Sequence, residues 1–98
     1  MTHRDHPVTD YQNAVGPGGQ LVDVREPDEV AEGTLPGAIN IPLGELPSRL
    51  SELDVSRRVA LLCRSGGRST KAAGILTEAG FADVVNLEGG MLAWGDQA

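Results

Sequence analysis

Apolar residues along this chain fall into two kinds of short run. Gln20-Leu21-Val22-Asp23-Val24, Ala38-Ile39-Asn40-Ile41, Val59-Ala60-Leu61-Leu62-Cys63 and Val84-Val85-Asn86-Leu87 are brief and nearly continuous in apolar character. Strands buried on both faces of a parallel sheet carry that pattern, whereas half-buried strands alternate. The first run follows the breaker Gly16-Pro17-Gly18-Gly19 and the second stops at Pro42, as strand punctuation requires.

Helical patterns lie between these runs. Thr9-Asp10-Tyr11-Gln12 fits a capping box that opens a short helix reaching about Val15. Pro27 suits the first turn of a second helix, where Asp28 and Glu29 favour the positive dipole end and Gly33 ends it. A third, from Glu45 to Leu53, aligns Leu46, Leu50 and Leu53. The clearest runs from Ser69 to Ala79, with Ala72, Ala73, Ile75, Leu76 and Ala79 on one face, Gly80 as its stop and Phe81 packing back on Leu76. Gly89-Gly90 precedes a last short helix over Met91-Leu92-Ala93-Trp94. The alternation predicts an α/β fold, an open and mainly parallel sheet of about five short strands with helices on both faces. One domain spanning residues 1–98 is expected, with loose chain confined to a few residues at each end.

Composition narrows the function classes. The chain has 8 Lys and Arg against 14 Asp and Glu, a net charge of -6, and only 3% aromatic residues, so nucleic acid is not an expected partner. The longest strongly apolar run, Val59 to Cys63, is far short of the ~20 residues of a membrane span. The opening MTHRDHPVTD lacks the apolar stretch of an export signal, so a cytoplasmic location and no membrane partner are expected. One cysteine, Cys63, and two histidines, His3 and His6, leave neither a disulfide framework nor a metal cluster to expect. No long apolar stripe is left over, so a monomer is expected.

Charge is uneven. Of the 8 cations, Arg57, Arg58, Arg64, Arg68 and Lys71 fall within 57–71 and bracket Cys63, while most acids lie in the first half. Such a cluster is ordinarily a solvated face; the placement of the thiol changes that. Cys63 ends the most apolar strand, and Arg64-Ser65-Gly66-Gly67-Arg68-Ser69 leads from it into the best helix. In an open α/β sheet, ligands bind beyond the carboxyl ends of the strands. A strand end, a Gly-Gly turn and a helix N-terminus gather backbone N–H groups and a positive dipole around one point. A thiol there titrates below its free value of about 8.5, and lowering it by one pH unit favours the thiolate by about 1.4 kcal/mol. Cys63 is therefore the expected nucleophile. Gly66 and Gly67 permit the turn, and Arg64 and Arg68 are expected to supply donors for an anionic substrate. Ser65 reads as a loop residue and Ser69 as a helix cap that also serves the site.

Four motifs, in order, carry a resemblance. Leu21-Val22-Asp23-Val24-Arg25-Glu26-Pro27, Leu35-Pro36-Gly37-Ala38-Ile39-Asn40-Ile41-Pro42, Cys63-Arg64-Ser65-Gly66-Gly67-Arg68-Ser69 and Leu87-Glu88-Gly89-Gly90-Met91-Leu92-Ala93-Trp94 together make the chain resemble a single-domain rhodanese of the thiosulfate sulfurtransferase-like family over nearly its full length. The resemblance implies transfer of sulfane sulfur without cofactor or metal. Cys63 would take sulfur from a small anionic donor such as thiosulfate and pass it, as a persulfide, to cyanide, a thiol or a protein acceptor. Loop N–H groups would hold the persulfide, and Arg64 and Arg68 the departing sulfite. The resemblance gives Asp23 and Arg25 a supporting, structural role, with Arg25 ion-paired beneath the loops and Glu26, Asp28 or Glu29 as candidate partners. Many relatives have His at the position of Thr34, so activation of Cys63 must here rest on dipole, N–H groups and arginines.

Two rivals share these residues. Phosphatases and arsenate reductases of the same fold have a loop one residue longer between nucleophile and arginine than the four that separate Cys63 from Arg68. A persulfide carrier or interaction module delivering sulfur to a partner protein needs the same thiolate cradle as an enzyme. The sole cysteine leaves no resolving thiol in the chain, so an external acceptor must discharge any persulfide.

Overall fold

The computed structural model describes residues 3–95. Five strands, β1 (Arg4–Pro7), β2 (Gln20–Asp23), β3 (Ile39–Asn40), β4 (Val59–Leu62) and β5 (Val84–Glu88), form one sheet in the order β1-β5-β4-β2-β3, every pair parallel. Four helices, α1 (Tyr11–Val15), α2 (Pro27–Ala31), α3 (Gly67–Glu78) and α4 (Gly90–Gly95), join them, with short 3-10 segments at Val8–Asp10, Leu43–Ser48 and Leu50–Glu52.

The near-continuous apolar runs of β2, β4 and β5 are explained by burial on both sides, whereas the run at β3, at the sheet's edge, leaves Ile39 exposed. Val59, Leu61 and Cys63 of the β4 segment face one core with Ala72, Ala73 and Leu76 of α3. Ala60 and Leu62 face the other, with Val8, Ala14, Val85 and Leu87, against which Tyr11 and Trp94 pack edge to face with centroids 5.3 Å apart. Helices on both faces of a parallel sheet satisfy both sets of side chains. No helix among the described residues is long and apolar enough to cross a membrane.

Several local expectations are corrected. β1 is unheralded, because Arg4, Asp5 and Pro7 are exposed and the strand is held by its backbone pairing to β5. The expected capping box at Thr9 does not form: Thr9 lies in a 3-10 segment, and the Asp10 carboxylate instead accepts from Asn13 and pairs with His6. The expected helix over Glu45–Leu53 is two 3-10 segments. Pro47 sits inside the first and has no N–H to donate to an α-helical ladder. Leu46 and Leu53 are nevertheless buried, as the stripe required. At α2 the reading stands, with Pro27 in the first turn and a reciprocal capping box between Glu26 and Glu29. Helix α3 starts at Gly67, two residues earlier than expected. At its far end Gly80 adopts φ 98° and Phe81 N–H donates to the Leu76 carbonyl, 3.0 Å.

Candidate active site

The connection β2→β3 runs to one side of the sheet centre and β4→β5 to the other. Such a reversal opens a crevice at the carboxyl ends of the central strands. Cys63 follows β4 there and Asp23 ends β2 beside it, with Val24 N–H donating to the Leu62 carbonyl at 2.9 Å.

The loop folds around the sulfur. Gly66 has φ 112° and precedes the first turn of α3; only a residue without Cβ takes that conformation cheaply. Its N–H points at Cys63 Sγ, 2.9 Å away. Ser69, in the first turn of α3 and fully buried, places Oγ 3.3 Å from the same sulfur and 3.0 Å from the Gly66 carbonyl. The expected capping role for Ser69 is thus replaced, since the cap position belongs to Gly66. Cys63 is only 1% exposed, and that burial is the largest single influence on its thiol, acting to raise the pKa. Hydrogen bonds from the Ser69 hydroxyl and from the N–H groups of Ser69, Gly66 and Ser65 outweigh it together, so the thiol is held below its ordinary value. An arrangement that stabilises the thiolate this way can support nucleophilic chemistry at a buried cysteine.

A second loop supports the first from outside. Gly90, φ 58°, brings the start of α4 against the Cys63–Arg64 backbone, so that Met91 N–H donates to the Cys63 carbonyl at 2.9 Å and Leu92 N–H to that of Arg64 at 3.0 Å. A Cβ on Gly90 would collide with the Cys63 oxygen and stand 2.5 Å from that of Arg64, which explains the glycine at the first position of this helix.

The two arginines of the loop differ. Arg64 is exposed, as is Ser65, and its guanidinium makes no ion pair among the described residues. Arg68 is engaged by Glu29 of α2 through two contacts, Nη1 to Oε1 at 2.6 Å and Nη2 to Oε2 at 2.8 Å. This pairing holds the Glu29 carboxyl down at about 2 and raises Arg68. Arg57 and Arg58 do not join them. They lie at the opposite end of the strands, before β4, where Arg57 binds the Gly18 carbonyl and Arg58 pairs with Asp83. The cluster of cations along the sequence is therefore split by the length of a strand, roughly 13 Å.

Beneath the loops, Arg25 is ion-paired with Asp23, Nη2 to Oδ2 at 2.7 Å, both side chains almost fully buried. The same guanidinium donates to the carbonyls of Glu29 and Gly33, and the Asp23 carboxylate accepts from the Arg25 N–H and from Thr34 Oγ1 at 2.7 Å. Glu26 and Asp28 are not its partners, and Glu29 offers only its backbone. Asn40 Nδ2 binds the carbonyls of Asp23 and Arg25, each at 2.9 Å. Arg25 thus fixes the middle of α2 and the segment just beyond its end, and α2 presents Glu29 to Arg68. Thr34, read as a lost imidazole, completes this buried cluster.

Asn86 went unnoticed in the sequence, although a polar residue inside an apolar strand run is a signal. Buried on β5, it accepts from Ser69 Oγ and donates through Nδ2 to Asp5 of β1 at 3.0 Å. No cluster of three or more His, Cys, Asp or Glu suited to a metal occurs among the described residues.

Comparison with known proteins agrees with this architecture. The family model for the Rhodanese-like domain matches residues 8–97. A protein of Allochromatium vinosum named sulfurtransferase is 45% identical over 74 residues, covering 76% of this chain and 69% of that protein. The putative sulfurtransferase YtwF of Bacillus subtilis is 47% identical over 74 residues, with 76% and 71% covered. The crystal structure of a rhodanese-like domain protein from Staphylococcus aureus superposes with a TM-score of 0.85 at 35% identity, covering 97% of this chain and 94% of that one. With a parallel five-stranded sheet, a cysteine cradled at the end of its central strand and a matching family model over most of its length, the chain belongs to the rhodanese-like domain family.

Proposed function

We propose that the chain is a sulfurtransferase that moves sulfane sulfur from an anionic donor such as thiosulfate to a thiol or cyanide acceptor through a persulfide on Cys63. The observation that carries this reading is the cradle: Sγ accepts from Gly66 N–H at 2.9 Å and lies 3.3 Å from Ser69 Oγ, with the thiol lowered despite its burial. The names of the two bacterial relatives support transfer of sulfur in general.

In the first half-reaction the Cys63 thiolate attacks the outer sulfur of thiosulfate. A new S–S bond forms at Sγ, the donor's S–S bond breaks, and sulfite leaves with the bonding pair. The loop N–H groups lie where the negative charge of the persulfide's outer sulfur is best held. Arg64 is the cation available to the departing sulfite, while Arg68 acts mainly by holding the loop to α2. In the second half-reaction cyanide or a thiolate attacks the outer sulfur, restoring the Cys63 thiolate. The sequence of the two is ping-pong.

Incubation with thiosulfate is expected to add about 32 Da, one sulfur atom, to wild-type chain and nothing to Cys63→Ala. Steady-state turnover with cyanide and with thiols then separates an enzyme from a carrier that yields sulfur only to a protein. Absence of a sulfur adduct from every sulfane donor tried would overturn the reading, as would turnover of an aryl phosphate alone.

A further inference from the structure

The hydroxyl of Ser69 has one proton and three acceptors within reach: Cys63 Sγ, the Gly66 carbonyl and Asn86 Oδ1. Which of them receives it matters to the nucleophile. A hydroxyl that donates to Sγ stabilises the thiolate; one that donates elsewhere turns a lone pair toward the sulfur and favours the protonated thiol.

The allocation is decided on the far side of Asn86. β1 and β5 pair in parallel with Asp5 directly opposite Asn86, and Asn86 is in turn opposite Leu61 of β4, which packs in the core under α3. Asp5 Oδ1 lies 3.0 Å from Asn86 Nδ2. An ionised carboxylate only accepts, so the amide must turn its NH2 group toward Asp5 and its oxygen toward Ser69. That oxygen then competes with the sulfur for the single proton. Reversing the amide would set two oxygens against each other at Asp5.

We propose that Asp5 and Asn86 are positioning residues for the Cys63 nucleophile, acting by fixing which acceptor takes the proton of Ser69. This deepens the sulfur-transfer reading and rests on Cys63 as its nucleophile. With the carboxylate in place Sγ has only a share of the Ser69 proton, in competition with the Asn86 oxygen, and the backbone N–H groups supply the rest of its stabilisation. The other charged groups near the chain of contacts are accounted for. Arg68 is paired with Glu29, Arg25 with Asp23, and Arg4 with Asp83, while Arg64 is exposed at the loop. His3 Nε2 lies 3.3 Å from Asp5 Oδ1, the same oxygen that accepts from Asn86 Nδ2.

Cys63 is the only cysteine, so alkylation by iodoacetamide against pH reads its thiolate directly. The test compares wild type, Asp5→Ala, Asp5→Asn and Asn86→Leu, and repeats Asp5→Ala in a Ser69→Ala background. Asp5→Ala frees the amide to reverse and Asn86→Leu removes the competing oxygen. Each is expected to move the alkylation midpoint down by about half a pH unit and to raise the rate at pH 7 by about threefold. Asp5→Asn, which removes the charge but can keep a carbonyl oxygen against Asn86 Nδ2, is expected to stay near wild type. In the Ser69→Ala background Asp5→Ala is expected to have no effect, since the coupling has lost its carrier.

Equal changes for Asp5→Ala and Asp5→Asn that persist without the Ser69 hydroxyl would make the effect one of charge through space and overturn the proposal. Unmoved midpoints in Asp5→Ala and Asn86→Leu would do the same. Should Asn86→Leu fail to fold, the substitutions at Asp5, whose side chain is 53% exposed, decide the matter. Thiosulfate turnover is measured separately: altered alkylation in a chain that transfers no sulfur leaves the relay standing and removes only the sulfur-transfer reading.

Discussion

Glu29 grips Arg68 at two points across 39 positions of sequence, with Oε1 and Oε2 2.6 and 2.8 Å from the two terminal nitrogens. The loop that surrounds Cys63 is thereby tied to α2, while the groups hydrogen-bonded to the sulfur come from Ser65, Gly66 and Ser69. The Glu29 carboxyl stands at about 2 instead of 4.5, first because of the Arg68 hydrogen bonds and then because of the Glu26 backbone. A depressed carboxyl adds stability above its unfolded value and loses it as pH falls through the folded one. The contribution of the pair is therefore full above pH 4.5 and fades between 4.5 and about 2. Being partly solvated, it is worth about 1 kcal/mol at most. Glu29→Gln is expected to melt a few degrees below wild type at pH 7, with the gap closing as pH falls from 4.5 toward about 2; a gap independent of pH would contradict this.

Arg64 and Arg68 are expected to separate kinetically. Losing one charge-assisted contact to an anion costs about 1.5 kcal/mol, roughly tenfold. Arg64→Ala is expected to raise the KM for thiosulfate by about that factor while changing kcat less. Arg68→Ala removes a cation that interacts with the Cys63 thiolate and unties the loop from α2, and is expected to slow Cys63 attack as well, visible as a lower kcat. Unchanged kinetics in both would reduce them to surface charge.

The Asp23–Arg25 pair is buried and hydrogen-bonded on every side. Removing one member of such a pair costs about 3–5 kcal/mol because the other charge is left uncompensated. Asp23→Asn is expected to show that loss in urea unfolding, whereas Thr34→Val, which removes one hydrogen bond to the same carboxylate, should lose about 1 kcal/mol.

Gly90 and Gly74 offer a matched contrast. A Cβ at Gly90 would meet the Cys63 oxygen and stand 2.5 Å from that of Arg64, in a backbone with φ 58°. Gly90→Ala is expected to push α4 off the loop, reduce sulfur transfer at least tenfold and cost about 1–3 kcal/mol. Gly74 lies in the middle of α3 with open space around it. Gly74→Ala should raise stability by about 0.5–1 kcal/mol and leave activity unaltered.

Central strands and α3 were legible because their signal is local. Val59 to Leu62 is apolar on both faces, and Ala72, Ala73 and Leu76 mark one side of a helix, so the reading at Cys63 placed the thiol between them correctly. Glu45 to Leu53 misled because its leucine spacing suits an α-helix, while the decisive residue was Pro47 within it. β1 was illegible for a different reason: Arg4 to Pro7 pairs through its backbone with a strand some eighty residues away. The same distance hid the contact of Asp5 with Asn86. Arg68 could be expected to carry charge, but its neutralisation by Glu29 depends on where α2 packs, which no local spacing encodes. Thr34 read only as a departure until the fold brought it to Asp23.

The place of β1 at the sheet's edge also sets an order of events. Its single partner, β5, comes from the other end of the sequence, and contacts so far apart form late because a long loop must first close. A chain emerging from the ribosome can lay β2, β3 and β4 side by side and wrap the loop around Cys63. Asp5 cannot meet Asn86 until residues 84–88 have been made. Until then the thiol would exist without the control exerted from the edge of the sheet, so the timing of its chemistry is linked to the docking of the first strand.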